Sequence, residues 1–234
     1  MQDAALAFSP LAYGAAKRLV AEGLGTTLLV AVVIGSGVMA ERLAAGNGAV
    51  ALLANAVATG AALTVLITVL GPVSGAHFNP VVSLAFALRR ELPIPTLIGF
   101  VLVQIAGACL GALLAHAMFD LSLVQVSTNA RDSPAQALSE AVATFGLVLT
   151  IFGALRFRPT ATPAAVGLYI TAAYWFTAST SFANPAVTVA RTLTDTFAGI
   201  APVSAPLFIM AQITGMAAAV VLTSWLFTED LARV

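Results

Sequence analysis

The feature that most constrains this sequence is a series of six long apolar stretches, each with few or no charges. Their approximate limits are 18–40, 49–71, 94–118, 137–157, 162–180 and 204–227. Crossing the hydrocarbon core of a bilayer takes about 20 apolar residues in a helix. Only 9% of the 234 residues are charged, whereas soluble domains carry about 25%. The sequence therefore predicts an all-α membrane protein, with residues 1–234 forming one domain.

Two shorter apolar segments lie between these stretches, near residues 77–88 and near residues 182–190. Both are too short to cross a bilayer. Two interpretations are open: re-entrant half-helices that enter the membrane and turn back, or buried loops.

The basic residues are distributed unequally between the two sides of a six-span arrangement. Seven fall on the side of the termini: Lys17, Arg18, Arg89, Arg90, Arg156, Arg158 and Arg233. Three fall on the other side: Arg42, Arg131 and Arg191. Because cytoplasmic loops are enriched in lysine and arginine, this distribution predicts that both termini are cytoplasmic.

The two halves of the chain repeat one another. Residues 79–85 read NPVVSLA and residues 184–190 read NPAVTVA, at a separation of 105 residues. Each half also carries an early glutamate and a Gln-x-x-Gly motif: Glu22 and Glu140, Gln104–Gly107 and Gln212–Gly215. The repeats span 18–118 and 137–227. Since each contains three spans, the second is predicted to be inverted, so that the Asn-Pro segments enter from opposite faces and meet near the midplane.

An Asn-Pro pair is well suited to begin a helix inside a membrane. Proline fits the first helical turn, and the asparagine before it caps the exposed amides. Two facing helix N-termini place about half a positive charge each at one point, which admits neutral solutes and repels protons and cations. The alternative is that these are two ordinary N-caps.

Residues 74–83 (SGAHFNPVVS) and residues 181–186 (SFANPA) resemble the two signature loops of the aquaporin and aquaglyceroporin family, the major intrinsic proteins. The glutamates and the Gln-x-x-Gly motifs also match, and the resemblance covers about residues 18–227. It implies a right-handed bundle of six tilted helices plus two half-helices, one pore per subunit and a homotetramer in the lipid membrane. It implies a pore midplane formed by Asn79, Pro80, Val81, Asn184, Pro185 and Ala186. Glu22 and Glu140 are expected to support the loops through hydrogen bonds to their backbone.

The sequence departs from the family pattern at two positions. Val81 stands where alanine is usual, and Val187 stands where most members have a selectivity-filter arginine. By spacing, the other filter residues are Thr59, Ser181 and Tyr174, with Ala172 as an alternative to Tyr174. This filter is expected to be wide and neutral, because valine lacks the guanidinium charge and its donors.

The valine in the filter resembles a bacterial branch associated with arsenic resistance. We therefore expect a passive channel in the inner membrane for water, glycerol, other polyols and undissociated arsenite. No cofactor, metal site, nucleic-acid partner or enzymatic activity is expected. Only a secondary transporter, in which Glu22 and Glu140 serve an ion or proton pathway, remains as a serious alternative, since the histidines have no convincing serine partner for a hydrolase.

Three polar residues near the predicted pore have more than one interpretation. Arg191, four residues after Val187, lies either at the outer mouth, replacing the missing charge, or caps loop carbonyls or pairs with Asp195. His77 lies in the cytoplasmic vestibule, where it lines or gates the path or is an ordinary hydrogen-bonded histidine. His116 is predicted to be interfacial.

Overall fold

The computed structural model describes residues 13–229, and this part of the chain is helical with connecting loops. The helices are α1 Ala15–Leu43, α2 Gly48–Ser74, α3 Pro80–Leu88, α4 Ile94–Met118, α5 Pro134–Phe157, α6 Thr162–Phe176, α7 Pro185–Arg191 and α8 Ala205–Leu226. A single 3₁₀ turn, Pro159–Ala161, precedes α6. Arg233, one of the basic residues in the topology prediction, lies outside the described residues.

The helices of the two halves pack in the same way. α1 packs along α4 and α2, and correspondingly α5 packs along α8 and α6. α2 and α6 join the halves, while the short helices α3 and α7 each contact α4 and α8. The predicted all-α bundle with two half-helices is confirmed.

Glycines allow the paired long helices to approach at matching points. A Cβ atom on Gly107 would lie 2.4 Å from the carbonyl oxygen of Gly23, and one on Gly215 would lie 2.0 Å from that of Ala141. Neither position has room for any side chain, so glycine is required for the α1–α4 and α5–α8 contacts.

The outer surface of the bundle is apolar. Leu102 on α4 is 64% exposed and Val221 on α8 is 73% exposed. Large apolar side chains stay this accessible on several helices, as expected where lipid tails rather than water cover a protein. The chain is an integral membrane protein.

The predicted fifth span, 162–180, is too long. Five of the described helices are long and apolar enough to cross a bilayer, whereas α6 has 15 residues and ends at Phe176. Thr177 is extended and is the first residue of the loop that leads to α7. Residues 177–180 (TAST) are small and uncharged, so their composition does not mark the end of the helix.

Candidate functional site

Two helix starts lie in the middle of the bundle. The Oδ1 atom of Asn79 accepts a hydrogen bond from the amide of Val81 (3.1 Å), and that of Asn184 accepts from the amides of Ala186 (3.0 Å) and Val187 (3.3 Å). Each asparagine has extended backbone and precedes a proline at the first helical position. Both are therefore N-caps, as their sequence context predicts.

The two caps are joined by reciprocal hydrogen bonds. Asn79 Nδ2 donates to the carbonyl of Ala183 and Asn184 Nδ2 donates to that of Phe78, both at 2.8 Å. The N-termini of α3 and α7 therefore abut. A side-chain amide has two N–H groups, so each asparagine keeps a second donor beyond this bridge.

The loops that lead into the caps share an unusual backbone. Ala76 and Phe78 have φ values of 51° and 49°, and Ser181 and Ala183 have the same values of 51° and 49°. Residues other than glycine in this left-handed region carry a strain of about 1–3 kcal/mol each. Such a backbone persists only where its surroundings hold it in place.

In the first half, Glu22 holds the loop. Its carboxylate accepts hydrogen bonds from the amides of Phe78 (2.7 Å) and His77 (2.9 Å), from Ser74 Oγ (2.7 Å) and from Gln104 Nε2 (2.8 Å). Its four acceptor positions are therefore occupied within the protein. Glu22 is fully buried.

In the second half, Glu140 occupies the equivalent place. It accepts from the amides of Phe182 (2.8 Å) and Ala183 (2.9 Å) and from Gln212 Nε2 (2.6 Å). Gln212 also donates to Thr188 Oγ1 (2.9 Å), as Gln104 does to Ser83 Oγ in the first half (3.0 Å). The repeated glutamates and glutamines of the sequence thus form the same network twice.

A cavity of about 320 Å³ passes the two caps. Its wall includes Glu91, just after the C-terminus of α3, and Arg191, at the C-terminus of α7. Because the two half-helices abut at their N-termini, these residues lie towards opposite ends, which we call the Glu91 mouth and the Arg191 mouth. Both asparagines lie on its wall, whereas neither Glu22 nor Glu140 does. Apolar side chains make up much of the remaining wall: Leu29, Val33, Leu63, Ile67, Val82, Leu147, Ile151, Val166 and Ile170.

The four side chains that spacing predicts as filter residues all line the cavity. Thr59 Oγ1 and Tyr174 Oη lie 3.3 Å apart, within hydrogen-bond distance. Ser181 Oγ is buried and has no partner within residues 13–229. Val187 contributes an apolar side chain to the cavity wall. Ala172, the alternative to Tyr174, is exposed on the outside of the bundle.

The other predicted midplane residues do not line the cavity. Pro80, Pro185 and Ala186 are buried in the first turns of the half-helices. Val81 packs away from the path, among a buried cluster that includes Val148 and Met216. The extra methyl groups of Val81 relative to alanine are accommodated in helix packing.

Arg191 caps a loop carbonyl, as one of its predicted interpretations has it. Its Nε donates to the carbonyl of Ala198, its guanidinium lies 3.4 Å from the centroid of the Phe182 ring, and it lines the cavity. It does not pair with Asp195, whose carboxylate accepts from the amide (2.8 Å) and hydroxyl (3.0 Å) of Thr128. That part of the prediction is wrong, because Asp195 turns towards the loop that follows α4.

Arg131, whose position no sequence pattern predicts, lies beside this mouth. Its Nε donates to the carbonyl of Gly199 (3.0 Å), its Nη1 donates to that of Ser179 (3.3 Å), and its guanidinium carbon lies 5.3 Å from the Phe182 centroid. Burial lowers the pKa of Arg131. Arg131 belongs to an irregular loop without a repeated counterpart, so no pattern signals its position.

Of the two histidines, His116 differs from its sequence interpretation. His77 lines the cavity and has a serine partner, Ser83, at 3.0 Å from Nδ1. Ser83 is fully buried and its hydroxyl also accepts a hydrogen bond from Gln104. This hydroxyl is therefore not exposed to a substrate as a nucleophile must be. His116 is fully buried, not interfacial, and its ring nitrogens contact the carbonyl of Leu123 and the hydroxyl of Thr194.

Residues 13–229 contain no cluster of three or more histidine, cysteine, aspartate or glutamate side chains that would hold a metal ion. The polar groups on the cavity wall are amides, hydroxyls, an imidazole and one guanidinium, with Glu91 at the far mouth. Such a wall orients hydrogen-bonding solutes.

Two abutting half-helices around a continuous cavity in a helical membrane bundle define a membrane pore, and comparison with known proteins identifies the family. The model of the major intrinsic protein family matches residues 12–177. The chain belongs to this family.

Among its relatives, the chain is 57% identical over 210 residues to the aquaglyceroporin AqpS of Rhizobium meliloti, covering 90% of each protein. It is 31% identical over 153 residues to the glycerol uptake facilitator protein of Streptococcus pneumoniae, covering 58% of this chain and 63% of that protein. The fold matches the crystal structure of the aquaglyceroporin from Plasmodium falciparum with a TM-score of 0.74, at 19% identity, over 92% of this chain and 97% of that one.

Proposed function

We propose that this protein is a passive channel for small neutral solutes, namely water, glycerol and other polyols. The observation that carries the proposal is the cavity that passes both Asn79 and Asn184 between the abutting helix starts. The spare amide donors of the asparagines can replace part of the hydration of a hydroxylated solute. The apolar remainder of the wall binds such a solute weakly, which suits rapid passage.

The size of the solute depends on the filter level. Thr59, Tyr174, Ser181 and Val187 line the cavity; in the proposal they form its filter, where valine leaves more space than the arginine that most family members have. This supports passage of molecules larger than water. The similarity to an aquaglyceroporin over 90% of the chain points the same way.

We extend the proposal to undissociated arsenite. In its neutral form this solute is a small molecule with three hydroxyl groups, chemically close to a triol. A wall that passes glycerol through amide and hydroxyl contacts has the groups to pass it too. His77 is proposed to line the vestibule at the Glu91 mouth.

The experiment is solute flux into vesicles that contain the purified protein. Light scattering after an osmotic step measures water and glycerol permeability, and arsenite uptake is measured on the same vesicles, with protein-free vesicles as the control. Glycerol and arsenite fluxes should both exceed the control, rise linearly with the solute gradient and be independent of sodium or proton gradients. Water flux alone would refute the assignment of larger solutes, and dependence on an ion gradient would instead indicate a secondary transporter.

The cellular arrangement is also a proposal. We propose the bacterial inner membrane, both termini in the cytoplasm and a homotetramer with one pore per subunit. The excess of basic residues on the side of the termini supports the orientation, and membership of the family supports the tetramer. Protease accessibility of tags at either terminus in spheroplasts, and the mass of the detergent-solubilised protein by light scattering, test these two points.

A further inference from the structure

Arg191 places a positive charge on the cavity wall and forms no salt bridge with a carboxylate within residues 13–229. Ion pairs within residues 13–229 involve other side chains, Arg89 with Glu91 and Arg156 with Glu229. Asp195 is bound to Thr128, and Glu140 is bound to backbone amides and Gln212. Arg191 is 2% exposed, so solvent screens its charge poorly.

The terminal nitrogens of Arg191 are available to a solute. Its Nε is bound to Ala198, while Nη1 and Nη2 donate to no acceptor within the described part of the chain. These two nitrogens are not among the unpartnered atoms that are fully buried. Part of their surface is therefore accessible. Because Arg191 lines the cavity, the accessible space around them includes the solute path.

The guanidinium is also held in position. It stacks on Phe182, 3.4 Å from the ring centroid, and Phe182 is itself packed against Phe208 with ring centroids 5.2 Å apart. Together with the bond from Nε, this fixes the charge on the wall. At the same mouth the wall presents hydroxyls from Thr59, Tyr174 and the unpartnered Ser181.

We propose that Arg191, one helical turn beyond Val187, supplies the fixed charge of the Arg191 mouth, so that the path is wide at Val187 and still closed to cations and protons. The inference rests on the proposed channel function and deepens it. A guanidinium has donors only. The mouth therefore favours neutral molecules with several acceptor oxygens, and a positively charged solute meets uncompensated repulsion in a poorly screened site.

The test measures proton influx and glycerol flux in vesicles containing the wild type, Arg191→Gln or Arg191→Lys. Proton influx is followed with an internal pH dye after an external acid step, with valinomycin and potassium balancing charge. We expect the ratio of proton influx to glycerol flux to rise about tenfold or more in Arg191→Gln, because removing a poorly screened charge lowers the barrier. Arg191→Lys keeps the charge but loses the planar fork of donors, so its ratio should stay well below that of Arg191→Gln.

Arg131→Gln is the matched control. Arg131 is also near Phe182 and bonded to loop carbonyls, but it does not line the cavity, so its loss should raise the ratio much less than the loss of Arg191 does. In the double variant Val187→Arg/Arg191→Gln, a charge returned one turn deeper should restore a low proton influx. A leak in Arg131→Gln equal to that in Arg191→Gln would overturn the inference.

Equal behaviour of Arg191→Gln and Arg191→Lys would assign Arg191 a loop-clamping role through Ala198 and overturn the inference as well. If Arg191→Gln does not elute as a single species, Arg191→Met, whose unbranched side chain still packs on Phe182, replaces it with the same expectation. Misfolding of both, with Arg191→Lys intact, would count as a structural role and against the proposal. A wild type that passes no glycerol would instead refute the proposed function itself.

Discussion

Replacing Glu140 by glutamine tests whether the buried glutamates support the loops or serve a proton pathway. In the native protein one carboxylate oxygen accepts from the amide of Phe182 and the other accepts from the amide of Ala183 and from Gln212. Glutamine has the same shape, but one of its two oxygens becomes an NH₂ donor. In either orientation one backbone amide of the loop faces a donor and loses its acceptor.

The magnitude follows from that count. One buried backbone amide left unpaired costs about 1–3 kcal/mol, and the bonds that remain lose their charge assistance. Glu140→Ala leaves all three donors unpaired, so about 3–5 kcal/mol or more is expected, as when one partner of a buried charged interaction is removed. Glu41→Gln, at an exposed glutamate near the end of α1, should change stability by no more than about 0.5 kcal/mol.

The assay is the temperature at which the detergent-solubilised protein loses its native elution peak after heating. For a chain of this size, about 2–4 °C per kcal/mol gives a decrease of about 2–12 °C for Glu140→Gln and a larger one for Glu140→Ala. Solute flux in vesicles is measured on the same preparations. The decrease in melting temperature should be accompanied by reduced flux.

The opposite pattern would refute the reasoning. Glu140→Gln would then melt like the wild type but lose solute flux, and wild-type flux would depend on a proton gradient. These two results together would show that Glu140 serves a proton pathway and does not support the loop. Glu22→Gln gives an independent check, since Glu22 holds the amides of His77 and Phe78 in the same way.

Three further changes have defined outcomes. Val187→Arg should reduce glycerol flux several-fold more than water flux, because a long charged side chain narrows the filter level; equal flux would mean that Val187 does not limit passage. Asn184→Asp keeps the cap but cannot donate to the Phe78 carbonyl, so glycerol flux should fall at least about tenfold, measured beside Asn184→Gln; wild-type flux would show that the bridge is dispensable. Gly215→Val should abolish the native elution peak, since its Cβ would lie 2.0 Å from the Ala141 carbonyl, while the control Gly153→Ala, whose Cβ would meet Phe227 no closer than 3.4 Å, should elute normally.

Many of the residues that form the two half-helices and their supports could be predicted because they occur twice in the chain. Asn79 and Asn184, Glu22 and Glu140 each stand at matching places in two halves, so a single comparison finds them. A helix cap and its proline are local chemistry, and the structure forms both caps as expected. The end of the fifth span was wrong because hydropathy records only that a segment avoids water. It does not show whether the backbone remains helical, and at Thr177 it does not.

The sequence by itself determined that the chain lies in a membrane, that each half contributes a capped helix start, and that a valine follows the second Asn-Pro-Ala motif. Apolar length, local capping chemistry and repetition are properties of neighbouring residues. Tertiary structure alone decided that Arg131 and Arg191 both lie beside Phe182, that Thr59 contacts Tyr174, and that His116 is buried. These contacts join irregular loops and helices far apart in the chain, and only packing brings them together, since no local periodicity encodes them.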